Sequence, residues 1–158
     1  MVNQKQQLLI IGWRERIALP ELGIEEIKVK IDTGARSSAL HALDIEMFTE
    51  AQKQMVRFKV HPYQRDTNQT IITQAELSEH RKVRSSTGHD QLRPVIKTMV
   101  QLGGQQWPIE LTLTNRDVMG FRMLLGRQAI RGRFMVDSRK SFLASRRGKD
   151  PKKYKPKK

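Results

Sequence analysis

Glu26-Ile27-Lys28-Val29-Lys30-Ile31-Asp32-Thr33-Gly34-Ala35 is the stretch whose reading decides the fold. Its apolar residues Ile27, Val29 and Ile31 alternate with charged ones, the period of two that turns one face of a strand toward a core and the other toward water. The strand runs directly into Asp32, so it delivers a carboxylate to a turn in which Gly34 lets the backbone come close to a ligand. Upstream, residues 8–19 read as a strand pair or one long bent strand, and Pro20-Glu21-Leu22-Gly23 supplies the turn between the two segments. Downstream, alternation returns at Val56, Phe58 and Val60, at Val95, Lys97 and Met99, and at Ile109, Leu111 and Leu113, the last two runs separated by a Gly103-Gly104 reversal. Helical periodicity is weak. Residues 44–54 and 128–131 are the best short candidates, the latter ended by Gly132, and residues 62–79 read as a long polar loop with one strand at most. The pattern is all-β with small helical pieces.

Composition sets the outer limits. A chain of 158 residues with 37% apolar content supports one folded domain. No run approaches the ~20 apolar residues that a membrane helix needs. The apolar cluster Leu8-Leu9-Ile10-Ile11 is too short for the core of an export signal, and there is no cysteine, so disulfides, thiolate metal sites and a Cys nucleophile are excluded. The expectation is a soluble cytoplasmic protein. The formal charge is +14, but residues 139–158 hold ten Lys or Arg against the single acid Asp150, which leaves +5 for residues 1–138. The division expected is therefore a folded domain over 1–138 and a basic, disordered tail over 139–158, with weak RNA contact as one use for that tail.

Chemistry is sought next. His41, His61, His80 and His89 are scattered without ligand spacing, no His-Glu-x-x-His occurs, and no Gly-x-x-x-x-Gly-Lys-[Ser/Thr] loop is present, so neither a metal nor a nucleotide cofactor is expected. Ser37, Ser38, Ser85 and Ser86 lack the Gly-x-Ser-x-Gly elbow of a serine nucleophile. Arg116, in Asn115-Arg116-Asp117, is read as part of a structural ion pair in preference to a substrate anchor. Asp32 remains, joined by a later apolar run Met123-Leu124-Leu125 that leads into Gly126-Arg127 and a short helix.

That combination resembles the retroviral-type aspartic peptidases, which pair an Asp-Thr-Gly-Ala loop with a later apolar-apolar-Gly-Arg segment. Gly12-Trp13-Arg14-Glu15, Leu19-Pro20-Glu21-Leu22-Gly23, Asp32-Thr33-Gly34-Ala35-Arg36-Ser37-Ser38-Ala39-Leu40-His41-Ala42, Arg93-Pro94-Val95-Ile96, Leu113-Thr114-Asn115-Arg116-Asp117 and Met123-Leu124-Leu125-Gly126-Arg127 look like the motifs of a bacterial group commonly labelled ATP-dependent zinc proteases and regarded as retropepsin-like. The resemblance implies an all-β, single-lobe acid-protease fold, a closed barrel with a short helix after Leu-Leu-Gly-Arg. It implies Asp32, Thr33 and Gly34 as the catalytic loop, with Ala35, Arg36, Ser37, Ser85, Ser86 and Gly88 at the substrate and Gly126 and Arg127 in support. A mobile hairpin over residues 84–91 would close on a bound peptide.

Aspartic peptidases need two carboxylates, since like charges ~3 Å apart share one proton. A second Asp-Thr-Gly is missing: Asp137-Ser138 is followed by Arg139, and Asp117-Val118-Met119 has the wrong residues. The expectation is an aspartic endopeptidase made by a homodimer that brings two Asp32 side chains together. Where viral enzymes place an acid after Asp-Thr-Gly-Ala this chain has Arg36, so Arg127 needs another partner, with Asp44, Asp117 and Asp137 as candidates. Relatives of the group are associated with ligases that add glutamate to proteins, which points to an acidic peptide or protein-tail substrate. The rival reading keeps the fold and makes it a catalytically silent binder of peptides or peptidoglycan fragments, or an RNA-associated module.

Overall fold

The structure, a computed structural model, describes residues 8–63, 68–84, 87–116 and 120–145. Twelve strands carry it: β1 (Leu9–Gly12), β2 (Arg14–Leu19), β3 (Ile24–Asp32), β4 (Ser38–His41), β5 (Leu43–Glu50), β6 (Lys53–Val60), β7 (Ile71–Glu76), β8 (Glu79–Arg84), β9 (Asp90–Leu102), β10 (Gln105–Thr114), β11 (Met123–Gly126) and β12 (Phe134–Asp137). One helix, α1 (Arg127–Ile130), follows β11 directly, and a 3-10 turn over Pro20–Leu22 joins β2 to β3. The chain is all-β with one short helix after Leu-Leu-Gly-Arg, as the sequence leads one to expect.

The main sheet runs β10-β4-β11-β3-β2-β9-β8, and β10 also pairs with β9, so the hydrogen bonding closes into a ring from which β8 extends. Its inner face is the alternation read from sequence. Ile27, Val29 and Ile31 of β3 are 1%, 0% and 6% exposed, and Ile96, Val100, Leu111, Leu113, Met123 and Leu125 complete the same core. Each such side chain contributes ~1.5–3 kcal/mol on burial. The pairings that matter for the site are parallel: Leu125 lies beside Ile31 and Gly126 beside Asp32, while Leu111 to Thr114 run beside Ser38 to His41. Trp107 pins α1 to β10 by donating its indole N–H to the carbonyl of Ala129 at 3.0 Å.

Two expectations change. Residues 44–54 are not helical: they form β5, a turn at Ala51-Gln52 and the start of β6, in a separate sheet β5-β6-β7. Their weak helical spacing loses to Val56, Phe58 and Val60, whose burial fixes β6 and offers β5 an antiparallel partner. The interval 62–79 holds the one strand allowed for it, β7, whose Ile71 and Ala75 pack against the core, and ends on the first residue of β8; residues 64–67 lie outside the described ones. Finally, residues 140–145, placed in the basic tail by composition, pack on β2. The Lys140 carbonyl accepts from Trp13 N–H at 2.8 Å, the Arg14 carbonyl accepts from Phe142 N–H at 2.9 Å, and the Phe142 ring lies 4.0 Å from the Arg16 guanidinium. Residues 146–158 lie outside the described ones.

Candidate active site

Asp32 is the last residue of β3 and only half-buried, where the strand leaves the ring and turns. Its Oδ1 accepts from the Gly34 N–H at 2.9 Å and the Ala35 N–H at 3.1 Å, and its carbonyl also accepts from Ala35 N–H at 3.3 Å. The loop therefore fixes the orientation of the carboxylate with its own backbone. Gly34 keeps this turn uncrowded, since a Cβ would stand 3.2 Å from Asp32 Oδ1 and would require that carboxylate to shift by a few tenths of an ångström.

A second layer holds the loop to β11 and α1. Gly126 N–H donates to Ser38 Oγ at 3.0 Å, Arg127 N–H to the Ala35 carbonyl at 2.7 Å, and Gln128 N–H to the Arg36 carbonyl at 3.2 Å. The unpaired N–H groups at the start of α1 thus find acceptors in the Asp32 loop, which accounts for a helix start without a side-chain cap. Among the described residues Arg127 meets no acid: its Nη1 donates to the Thr33 carbonyl at 3.0 Å. Of the acids considered for it, Asp44 pairs with Lys59 at 3.0 Å, Asp137 pairs with Arg139 at 3.2 Å, and Asp117 lies outside the described residues. A carbonyl suffices because a guanidinium satisfies any fixed oxygen in reach, so this loop does not require the acid that Arg36 replaces.

Gly126 is the tightest point of the assembly. A Cβ there would lie 2.5 Å from the Ser37 carbonyl oxygen and 3.0 Å from that of Ala35. Gly126→Ala is expected to cost ~1–3 kcal/mol of stability by overpacking and to displace residues 33–37, so that any activity at Asp32 falls further than the melting temperature alone implies. Unchanged activity together with an unchanged melting curve would refute this account of the loop.

Asp32 opens onto a cavity of about 1010 Å³. Gly34, Ala35, Arg36 and Ser37 line it, while Thr33, Gly88 and Gly126 do not. The other wall comes from the β8–β9 hairpin, in which Arg84 pairs with Asp90. Gly88 sits in its turn at φ 84°, Thr87 faces the cleft, and Ser85 and Ser86 lie outside the described residues.

Sequence reading missed the electrical character of this wall. Among the described residues Arg36, Arg81, Lys82, Arg84, Arg93 and Arg116 all line the cavity, against Asp32 and Glu110 as the carboxylates. They come from four separate segments, so no run of charge announces them. Arg81 is compensated: it reaches Glu79 at 2.9 Å and Glu110 at 3.0 Å, and the hydrogen bond to Glu79 is the main influence raising its pKa above the ordinary value. Arg93 is pushed the other way, first by burial and then by the charge of Arg116. Arg116, read from sequence as part of an ion pair, lines the cleft, and Asp117 beside it lies outside the described residues. No group of three or more His, Asp or Glu side chains that could hold a metal gathers among the described residues. No helix among them is long and apolar enough to cross a membrane.

Comparison with known proteins agrees with the geometry. The chain matches, over residues 10–147, the model of the RimB-like family, described as retropepsin-like aspartic endopeptidase RimB. It is 42% identical over 139 residues to a protein of Shewanella pealeana and 46% identical over 129 residues to one of Parasynechococcus marenigrum, both named "Probable alpha-L-glutamate ligase". Those matches cover 88% and 82% of this chain but only 30% and 28% of the relatives, so the chain spans less than a third of their length. A crystal structure of a protein of unknown function from Legionella pneumophila superposes with a TM-score of 0.73 at 27% identity, covering 87% of this chain and 99% of that one. With the Asp-Thr-Gly-Ala loop closing β3 and the Leu-Leu-Gly-Arg strand beside it, the chain belongs to the RimB-like family of retropepsin-like aspartic endopeptidases.

Proposed function

We propose that this chain is an aspartic endopeptidase whose site is completed by a second copy of itself and whose substrate is an acidic peptide or protein tail. The observation that carries the reading is a lone, loop-fixed Asp32 at the mouth of a cleft with six cationic side chains. Among the described residues the other carboxylate lining that cleft, Glu110, is engaged by Arg81, which favours a dyad partner supplied by another chain. β1 and β12 offer a surface for it: Ile10 and Met135, neighbours in the β1–β12 register, are 51% and 58% exposed on one face of this two-stranded sheet.

In such a dimer one Asp32 is ionised and its mate protonated. The ionised carboxylate takes a proton from a water held between them, the water oxygen bonds to the peptide carbonyl carbon, and the mate donates its proton to the carbonyl oxygen. On breakdown the amide nitrogen takes up a proton as the C–N bond breaks, and the hydroxyl proton returns to a carboxylate, leaving an acid and an amine. The cationic walls hold an acidic peptide across this centre by charge-assisted hydrogen bonds. Relatives named for glutamate ligation carry a matching segment, which suits a substrate rich in carboxylates.

The test is the concentration dependence of activity on a glutamate-rich peptide, alongside sedimentation. Specific activity is expected to rise with protein concentration in parallel with a species of twice the chain mass. Full specific activity in a preparation that sediments only as monomer would sink the dyad, and a dimer that binds the peptide without cleaving it would leave a binding module.

A further inference from the structure

Within the cleft, two arginines differ from the rest in how they are held. Arg93 Nε donates to Gln91 Oε1 at 2.8 Å. The same oxygen accepts from Thr114 Oγ1 at 3.1 Å, and Thr114 Oγ1 in turn accepts from the Arg116 N–H at 3.3 Å. One relay thus ties the Arg93 side chain to the backbone of Arg116 through a threonine only 3% exposed. The identity of residue 91 is what gives the relay its meaning. Gln offers the arginine an oxygen of the same geometry as a carboxylate, and orients the guanidinium without cancelling its charge. Among the described residues neither Arg93 nor Arg116 has a carboxylate partner, whereas Arg81, directly opposite Arg93 in the β8–β9 register, has two. The cleft wall is therefore divided into a neutralised arginine that belongs to the sheet and a pair kept charged.

We propose that Arg93 and Arg116, held by Gln91 and Thr114, form a preorganised receptor for one substrate carboxylate and set the acidic specificity of the cleft. The proposal rests on the reading of this cleft as the substrate site. Preorganisation matters because the guanidinium of Arg93 has already lost much of its rotamer freedom, so less entropy opposes capture of an anion. The desolvation of Arg93 by burial is offset only when that anion arrives.

The experiment uses the full chain carrying Asp32→Asn, so that binding is read without cleavage. Three peptides of equal length serve as probes: one rich in Glu with both ends blocked, its Gln counterpart with both ends blocked, and the Gln peptide with a free C-terminus. The Glu peptide is expected to bind at least ~10-fold more tightly than its blocked Gln counterpart, as one bidentate charge-assisted contact allows. Gln91→Glu, which keeps the hydrogen bond and adds a resident negative charge, is expected to bring that ratio to about one and flatten its salt dependence. Arg116→Gln, an exposed position, provides a second variant that does not disturb the relay's side chains, and a reduced ratio is expected again. A gain seen with the free C-terminus instead of the Glu side chains also supports the receptor and assigns it to a chain end. Equal affinities in the parent, or a ratio that survives both substitutions, would overturn it. If the unsubstituted chain fails to cleave while the ratio behaves as expected, the endopeptidase reading falls and the receptor stands; cleavage without any Glu preference does the reverse.

Discussion

Asp32→Asn in the otherwise unaltered chain is expected to lower turnover of a cleaved acidic peptide by on the order of 10⁴-fold, the upper range for losing a general acid-base group. The substitution is nearly isosteric, and the amide oxygen can still accept from the N–H groups of Gly34 and Ala35. Folding and peptide binding should therefore persist, which separates lost chemistry from lost structure. The sharper readout is a mixture. If each site uses one Asp32 from each of two chains, equal amounts of parent and Asn chains that exchange freely leave about one quarter of dimers with two acids, by random pairing across a two-fold interface. Activity per molecule of parent chain then falls to about one half, whereas a site complete within one chain would show no fall. Retention of even a tenth of the parent turnover by the pure Asn protein would remove Asp32 from the chemistry.

How much of this was legible in the sequence depended on whether the signal was carried by side-chain pattern or by backbone. Ile27, Val29 and Ile31 announced β3 because burial on one face of a strand leaves a period-two trace, and Met123-Leu124-Leu125 announced β11 because a strand covered on both faces is apolar throughout. The β5–β6 hairpin left no such trace at its turn: Ala51 and Gln52 both adopt positive φ, 51° and 65°, in a place where Asn-Gly would have marked the reversal. The partner of Arg127 was hidden for a related reason, since a carbonyl belongs to every residue and a search among acids passes over it. The cleft cations were hidden by topology. Arg36, Arg81, Arg93 and Arg116 stand 45, 12 and 23 positions apart in turn and come together at the cleft that the β8–β9 hairpin walls.

Glu15→Ala is expected to be the most destabilising single change outside the hydrophobic core. Glu15 is 0% exposed, and its carboxylate accepts from Gly12 N–H at 2.6 Å, Leu143 N–H at 2.8 Å, Ala144 N–H at 3.2 Å and Ser145 Oγ at 2.6 Å. Removing it leaves several donors in a place where water reaches only some of them, a loss of ~3 kcal/mol or more, which corresponds to roughly 6–12 °C in melting temperature for a domain of this size. The segment packs closely here, so that a Cβ on Gly12 would collide with the Lys140 carbonyl. The consequence extends to the site. Lys140 accepts from Trp13 N–H, the Trp13 carbonyl accepts from Ile31 N–H at 2.8 Å, and Ile31 precedes Asp32. Releasing residues 140–145 therefore loosens one of the supports of the strand end that presents the carboxylate. Glu15→Gln, which keeps one acceptor but turns an NH₂ toward N–H donors, should fall between parent and Ala. Amide exchange at Leu143 and Ala144 should quicken before global unfolding does. If the Ala protein melts within about 2 °C of the parent, residues 140–145 are held by Phe142 and the Arg14 and Arg16 guanidiniums instead, and the buried carboxylate is not the anchor.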